Sequence, residues 1–410
     1  MQASSGISVL QASRAVSSLA HGAAAVLSWG LGQQGALGIR SDRDHYEPEH
    51  IPDLPDNVVA GQLFAWGRNK EGQLGRVLAP GEFDFSAAPQ PVEALSKEHI
   101  VAATGSGVAS FALSRHGALF VFGASKRGQL GLGPGQPSAP HPQQLRLPAA
   151  AVQVSAGWGH AAALLDEDEE EGRLVERSCW EPRRVDLLAG MVCGFDHTMV
   201  LAEDGSLFTM GDNSLGQLGR PSQPQARPGA AAAAGCSLPG EHLAPSCASS
   251  WIVNPEADCG RRINHPRPQV AAGLGHCLGV LADGGVVSWG WNGGGQLGLG
   301  QFVTEECIPR PTPIYGIPAN RHALIAAGRV HSVLATDEIA DRGSAFEAQG
   351  CAKAPVLTMC HSWGSAANGR LGTGQLEDSH FPELVPDLDG EQIVGLACGL
   401  DHTLALVRSM

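Results

Sequence analysis

Five histidines share one local setting, Gly-x-x-His before a short apolar run: Gly157 to His160, Gly194 to His197, Gly273 to His276, Gly328 to His331 and Gly399 to His402. Histidine is the side chain best suited to proton transfer near neutral pH and to metal ligation. Two of the five follow an aspartate, Asp196 and Asp401, while the same position is Gly159, Gly275 or Val330 in the others. A sixth copy, Gly105 to Val108, reads as having lost its histidine, with Gly107 in the aspartate's place. Asp and His in such a setting can also cap local turns by hydrogen bonding to backbone. Other signals of chemistry fail on inspection. Gly293-Gly294-Gly295-Gln296-Leu297-Gly298 satisfies G-x-G-x-x-G, but no helix pattern follows it. There is no P-loop and no G-x-S-x-G. The ten cysteines, from Cys179 to Cys398, have no C-x-x-C spacing and read as reduced strand residues, as at Cys193, Cys277 and Cys398. No catalytic residue, metal, cofactor or small-molecule substrate is expected.

The elements that must position these residues are repeats. An aromatic residue or Met is followed at once by Gly, then by Gly, Leu and Gly six, eight and nine positions on. The copies begin at Trp29-Gly30, Trp66-Gly67, Phe122-Gly123, Met210-Gly211, Trp289-Gly290 and Trp363-Gly364. His197 to Met210 and His276 to Trp289 are both 13 residues apart, so the two patterns are halves of one unit. Met199 to Met210 reads as strand, Asp204-Gly205 turn and strand. The Gly after the aromatic lets the backbone bend out of the sheet, and the later G-x-L-G drops one Leu into the core. Such a unit cannot bury its own faces and needs neighbours.

Gly172-Arg173-Leu174-Val175 marks a degenerate seventh unit, which predicts an all-β, seven-bladed propeller over 25–408, preceded by a flexible N-terminus or transit peptide at 1–24. The strand at Gly399 to Val407 has no W-G strand after it and is predicted to close the ring against Ala25 to Trp29. Around such a ring the histidines are too dispersed to converge on an ion. Trp29 and Trp66 are only 37 residues apart, and Val59-Ala60 runs into Gly61 as if a Gly-x-x-His strand were missing. The insertions 221–268 and 337–355 and the acidic run Asp166 to Glu171 read as surface loops.

Composition agrees with frequent turns: 54 Gly and 27 Pro against 5% aromatic and 17% charged residues. A net charge of -14 argues against direct DNA binding. The small basic groups Arg183-Arg184 and Arg261-Arg262 with Arg267 read as solvated surface. RNA or ribosome association would run through partners. No stretch approaches the roughly 18 to 20 apolar residues of a membrane span.

The paired motifs W-G-x-N-x-x-G-Q-L-G and G-x-x-H-T-x-x-L resemble the regulator of chromosome condensation repeat family. Gly369-Arg370-Leu371-Gly372, Gln375 to Pro382 and Ala397 to His402 are similar to its mitochondrial exchange-factor-like member, as are Leu207 to Ser214 and Ser28-Trp29-Gly30. The resemblance implies a protein partner, a small GTPase or GTPase-like protein, and guanine-nucleotide exchange without covalent catalysis; it equally admits a non-catalytic scaffold or assembly factor, as for the mitochondrial ribosome. In the family's chromosomal exchange factor, acidic residues just before the motif histidine matter for exchange, which points to Asp196 and Asp401 with His197, His402, His160, His276 and His331 as candidate partner-binding positions. It also implies a mitochondrial location, with cytoplasm or nucleus as alternatives. An ultraviolet-B photoreceptor of the same family uses packed tryptophans in G-W-R-H-T motifs. Here only Gly157-Trp158-Gly159-His160 compares, the equivalents of Trp158 being Phe195, Leu274, Arg329 and Leu400, so photoreception is disfavoured.

Overall fold

The computed structural model describes residues 24–52, 54, 61–76, 84–166, 173–177, 188–202, 207–221, 269–281, 283–317, 323–337 and 358–408. Several readings made above lie outside the described residues: the segment 1–23, the junction at 59–60, the acidic run beyond Asp166 with Gly172, the Asp204-Gly205 turn, all but the first residue of each insertion, and the arginines at 183, 184, 261, 262 and 267.

The chain is an all-β propeller. Its described strands form seven sheets, every pairing antiparallel. The ring is closed as predicted. In the first sheet Ala24–Gly30 pairs with His402–Arg408, register Gly30 to His402 and Ala24 to Arg408, and is flanked by His45–His50 and Gln392–Cys398. The first and last described strands thus share one sheet, which closes the ring.

Among the described residues the second sheet has Phe64–Arg68 and Phe85–Pro91. The third is complete, from Ile100–Gly105 through Ala109–Ser114 and Leu119–Ala124 to Ser138–Leu145. The fourth holds Ala150–Ala156, Ala161–Asp166 and the degenerate Arg173–Arg177; the fifth holds Leu188–Cys193, His197–Ala202 and Leu207–Gly211. The sixth runs Val270–Ala272, His276–Val280, Val286–Trp291 and Cys307–Pro313, and the seventh Ala323–Ala327, His331–Asp337, Thr358–Gly364 and Ser379–Leu384.

The W-G motif ends the third strand of a sheet, and its tryptophan packs between sheets. Trp29, Trp66, Trp289 and Trp363 are all buried, as is every G-x-L-G leucine: Leu37, Leu74, Leu130, Leu218, Leu297 and Leu371. Polar side chains hold the turn between them. The Asn292 carboxamide oxygen accepts from the Leu297 amide at 3.1 Å and the Gln296 carboxamide oxygen from the Gly294 amide at 2.8 Å; Asn69, Gln73, Asn213 and Gln217 repeat this. The motif glycine has a steric cause. Gly211 (φ 109°) pairs with His197, and a Cβ there would run into the carbonyl of Asp196.

One register is corrected. In the five histidine units the motif glycine amide donates to the histidine carbonyl, as from Gly273 to His276 at 2.9 Å; in the third sheet the corresponding donor is Ser106 and the acceptor Ala109. Ala109 also pairs with Gly123 as His276 pairs with Gly290. The lost histidine is therefore at Ala109, not Val108, and Val108 rather than Gly107 stands where Asp196 does. A backbone bond does not depend on the donor's side chain, so Gly105 was a decoy.

Candidate functional site

The histidines do not serve their own turns. Four of the five reach across to the residue after the motif histidine of the next sheet: His160 Nε2 to Thr198 Oγ1 at 2.9 Å, His197 to Cys277 Sγ at 3.1 Å, His276 to Ser332 Oγ at 3.1 Å and His331 to Thr403 Oγ1 at 3.1 Å. At Cys277, Ser332 and Thr403 the thiol or hydroxyl then donates to a carbonyl in the preceding G-x-L-G turn, which also receives a tryptophan, whereas the Thr198 hydroxyl turns to Cys193 Sγ. Ser332 Oγ and Trp363 Nε1 both donate to the Gln296 carbonyl, at 2.8 and 2.9 Å; Cys277 and Trp289 converge likewise on Gln217, and Thr403 and Trp29 on Arg370.

Since the Ser332 proton is given to Gln296, His276 must donate from Nε2. Its Nδ1 is buried without a hydrogen-bond partner, as are those of His197 and His331. All three are thus neutral in this arrangement, and burial is the reason: it pushes His197 down to about 4, His276 to about 3 and His331 well below the usual value, and it takes His402 to about 4 as well. These are seams between sheets. Among the described residues no three His, Cys, Asp or Glu side chains converge on a possible metal position.

The residues two before the histidines form a collar around the central channel, a cavity of about 210 Å³. The collar is stitched by backbone bonds: Trp158 amide to Phe195 carbonyl at 3.0 Å, Phe195 to Gly273 at 3.2 Å, Leu274 to Gly328 at 3.3 Å and Arg329 to Leu400 at 2.9 Å. Trp158 and Phe195 stack, ring centroids 5.1 Å apart at 17°. Both are half-buried, as are Leu274, Arg329 and Leu400, so the mouth offers a partly wet apolar surface. Among the described residues the collar has a single tryptophan, and no packed tryptophan array forms there.

The two aspartates sit on this end of the ring in opposite environments. Asp196 is exposed, and its backbone carbonyl accepts from the Asp212 amide at 2.9 Å, which brings a second acid alongside. Partial burial works against the Asp212 charge, but hydrogen bonds from Ser214 and Gln217 prevail and hold its carboxyl below the usual range. Asp401 is 2% exposed. Arg370 Nη1 lies 2.9 Å from its Oδ1, Arg329 Nε donates to the same oxygen at 3.0 Å, and a second Arg329 nitrogen pairs with Oδ2. Burial and the neighbouring Arg329 bring Arg370 down to about 10, still charged at neutral pH.

Motif spacing found the histidines and aspartates but missed Arg329, Arg370, Asp212 and the seam residues Thr198, Cys277, Ser332 and Thr403. The recurrence of Ser, Thr or Cys directly after each histidine but His160, which Ala161 follows, was the available signal.

The closed ring of antiparallel sheets, with its channel collar and its buried histidine seams, defines a β-propeller. The chain belongs to the RCC1-like domain family, whose model it matches over residues 58–405. It is 25% identical over 406 residues to the ultraviolet-B receptor UVR8 of Arabidopsis thaliana, covering 88% of this chain and 78% of that protein. It is 28% identical over 346 residues to Protein RCC2 of Homo sapiens (83% of this chain, 52% of that protein) and 35% identical over 240 residues to the probable E3 ubiquitin-protein ligase HERC6 of Homo sapiens (49% and 23%). The chain thus spans about half of RCC2 and under a quarter of HERC6. Among solved structures it superposes on Prp20p of Saccharomyces cerevisiae with a TM-score of 0.71 at 18% identity (95% of this chain, 92% of that one), a protein described with its binding to Gsp1p and histones. It superposes on human WBSCR16 with a TM-score of 0.63 at 18% identity (95% and 100%). No helix among the described residues is long and apolar enough to cross a membrane.

Proposed function

We propose that this chain is a seven-bladed, partner-binding propeller whose collar end engages a small GTPase or GTPase-like protein and promotes guanine-nucleotide exchange. The observation that carries this reading is the exposed Asp196, with Asp212 beside it, at the rim of the partly exposed Trp158–Phe195 stack. An apolar anchor ringed by uncompensated acid suits a partner with a basic, phosphate-handling surface. Exchange needs no nucleophile here. A surface that binds the nucleotide-free partner more tightly than the loaded one weakens the nucleotide by the same factor, through linkage.

A second reading, a non-catalytic scaffold or assembly factor, rests on Asp401. Its carboxylate is engaged by Arg329 and Arg370, so of the six positions before the motif histidine or its replacement only Asp196 offers an exposed acid. The location proposed with either reading is mitochondrial, with 1–24 as a transit peptide; cytoplasm and nucleus are the alternatives.

The deciding experiment is affinity capture under nucleotide depletion, followed by release of labelled GDP from any captured GTPase. Exchange predicts faster release that falls with Asp196→Lys. Capture without acceleration, or recovery of ribosomal proteins instead, favours the scaffold. Removal of about the first 24 residues on import tests the location.

A further inference from the structure

We infer that the outer rim of the seventh and first sheets is a docking band for a basic, amphipathic segment of a partner protein. After three of the G-x-L-G turns the chain crosses to the outer strand of the following sheet and bonds to it: Arg40 amide to Ala87 carbonyl at 2.8 Å, Gly300 to His380 at 2.8 Å and Gly374 to Tyr46 at 2.9 Å. The residue two further on is Asp42 in the first case, but Phe302 and Leu376 in the others. Phe302 is 90% exposed and Leu376 72%. Since the fold accepts aspartate at the equivalent position, packing does not explain two large apolar side chains held in water there.

Nor are they isolated. The strands that receive the two loops present Phe381, 50% exposed, next to His380, and Tyr46, 37% exposed. Leu376 and Phe381 belong to one loop and the strand it enters, so the two pairs run on from one sheet to the next.

Charge decides what the band fits. Exposed Glu47, Glu49, Glu305, Glu306, Glu377 and Asp378 lie on the same loops and strands, against Arg43 and Arg310. Beside Leu376 a groove of about 550 Å³ is lined by Asp44, Glu47 and Glu49 together with Tyr46 and Pro48, and by no lysine or arginine among the described residues. Apolar anchors set among carboxylates match a segment whose own aromatic or aliphatic side chains are flanked by Lys or Arg. A second copy is the poorer occupant, since it brings the same acids and a net charge of -14. The stretches of this chain outside the described residues place at most two cations side by side, at Arg183-Arg184 and Arg261-Arg262.

The probe is a random phage-displayed library of peptides of about 12 residues, selected on the full chain, with enriched peptides titrated by fluorescence anisotropy. Enrichment of an aromatic or aliphatic residue flanked by Lys or Arg is expected. Binding is expected to weaken at least about tenfold in the double variant Phe302→Asp, Leu376→Asp, which melts as the parent does because Asp42 already serves at that position. The two substitutions add negative charge, so a merely electrostatic peptide would bind the variant more tightly. Unchanged or tighter binding overturns the band, and so does a selection that enriches no peptide or only peptides without cations. Hydroxyl-radical footprinting identifies the occupant. In the free chain Phe302 and Leu376 are expected to oxidise freely, as Tyr315, 82% exposed, does, and to be protected when an enriched peptide is added. Protection in the free chain at low concentration overturns the partner in favour of a segment of this chain; protection that grows with concentration overturns it in favour of a second copy.

Discussion

Asp196 and Asp401 occupy the same motif position, one residue before a buried histidine, yet one faces water beside another acid and the other is clamped by two arginines. The difference lies in what the neighbouring sheet presents. The collar residue before Val330 is Arg329, which reaches Asp401 in the first sheet, and Arg370 comes from the G-x-L-G turn that seats Trp29. For Asp196 the equivalent collar residue of the preceding sheet is Trp158, which carries no charge to neutralise it. A repeated motif therefore yields one acid available to a partner and one that fastens the closing sheet to the seventh.

The contrast is testable by substitution. Asp401→Ala leaves two arginines facing each other in a buried site and is expected to cost about 3 to 5 kcal/mol in urea unfolding. A loss no larger than that of Asp196→Ala would break the comparison.

Protonation tests it next. The folded-state pKa values of His402 and His197, about 4, lie below the ordinary 6.5, so their contribution is complete above pH 6.5 and is lost as pH falls towards 4. Each is on the order of 3 kcal/mol, read as a falling melting temperature between pH 7 and 4. His160 is also lowered by burial, but the charge of Asp196 opposes the shift. In an NMR titration His160 is expected to protonate at higher pH than His402, and Asp196→Asn to narrow that gap.

Ser332→Ala severs the link between His276 and the Gln296 carbonyl, leaves the buried His276 Nε2–H unpaired and is expected to cost about 2 kcal/mol. An equal cost in a His276→Gln background would show that the two do not act through each other. The smallest expected effect is that of Asp196→Asn on stability, within about 0.5 kcal/mol, while partner capture falls and loses part of its salt dependence.

Much of this was legible in the residues. Six W-G copies at fixed offsets specify where each third strand ends and which leucine is buried, because those demands are local: a backbone that bends at positive φ, and a turn held by its own Asn and Gln. Closure was legible because the two chain ends carry complementary halves of one unit. The short second unit was legible as a spacing of 37 residues. The third-sheet register was misplaced by one residue, since Ser106 makes through its backbone the bond that glycine makes elsewhere.

The seams between sheets were not legible. His160 and Thr198 are 38 residues apart, His197 and Cys277 are 80, and Trp29 and Arg370 are 341, so no local pattern announces that they share hydrogen bonds. The same limit applies to the aspartates. The sequence by itself determined that an acid precedes His197 and His402; only the tertiary structure decided which acid meets solvent and which meets two guanidinium groups. The physical reason is that a carboxylate's availability depends on the charges and water around it, and the two guanidinium groups that neutralise Asp401 come from the neighbouring sheet rather than from its own.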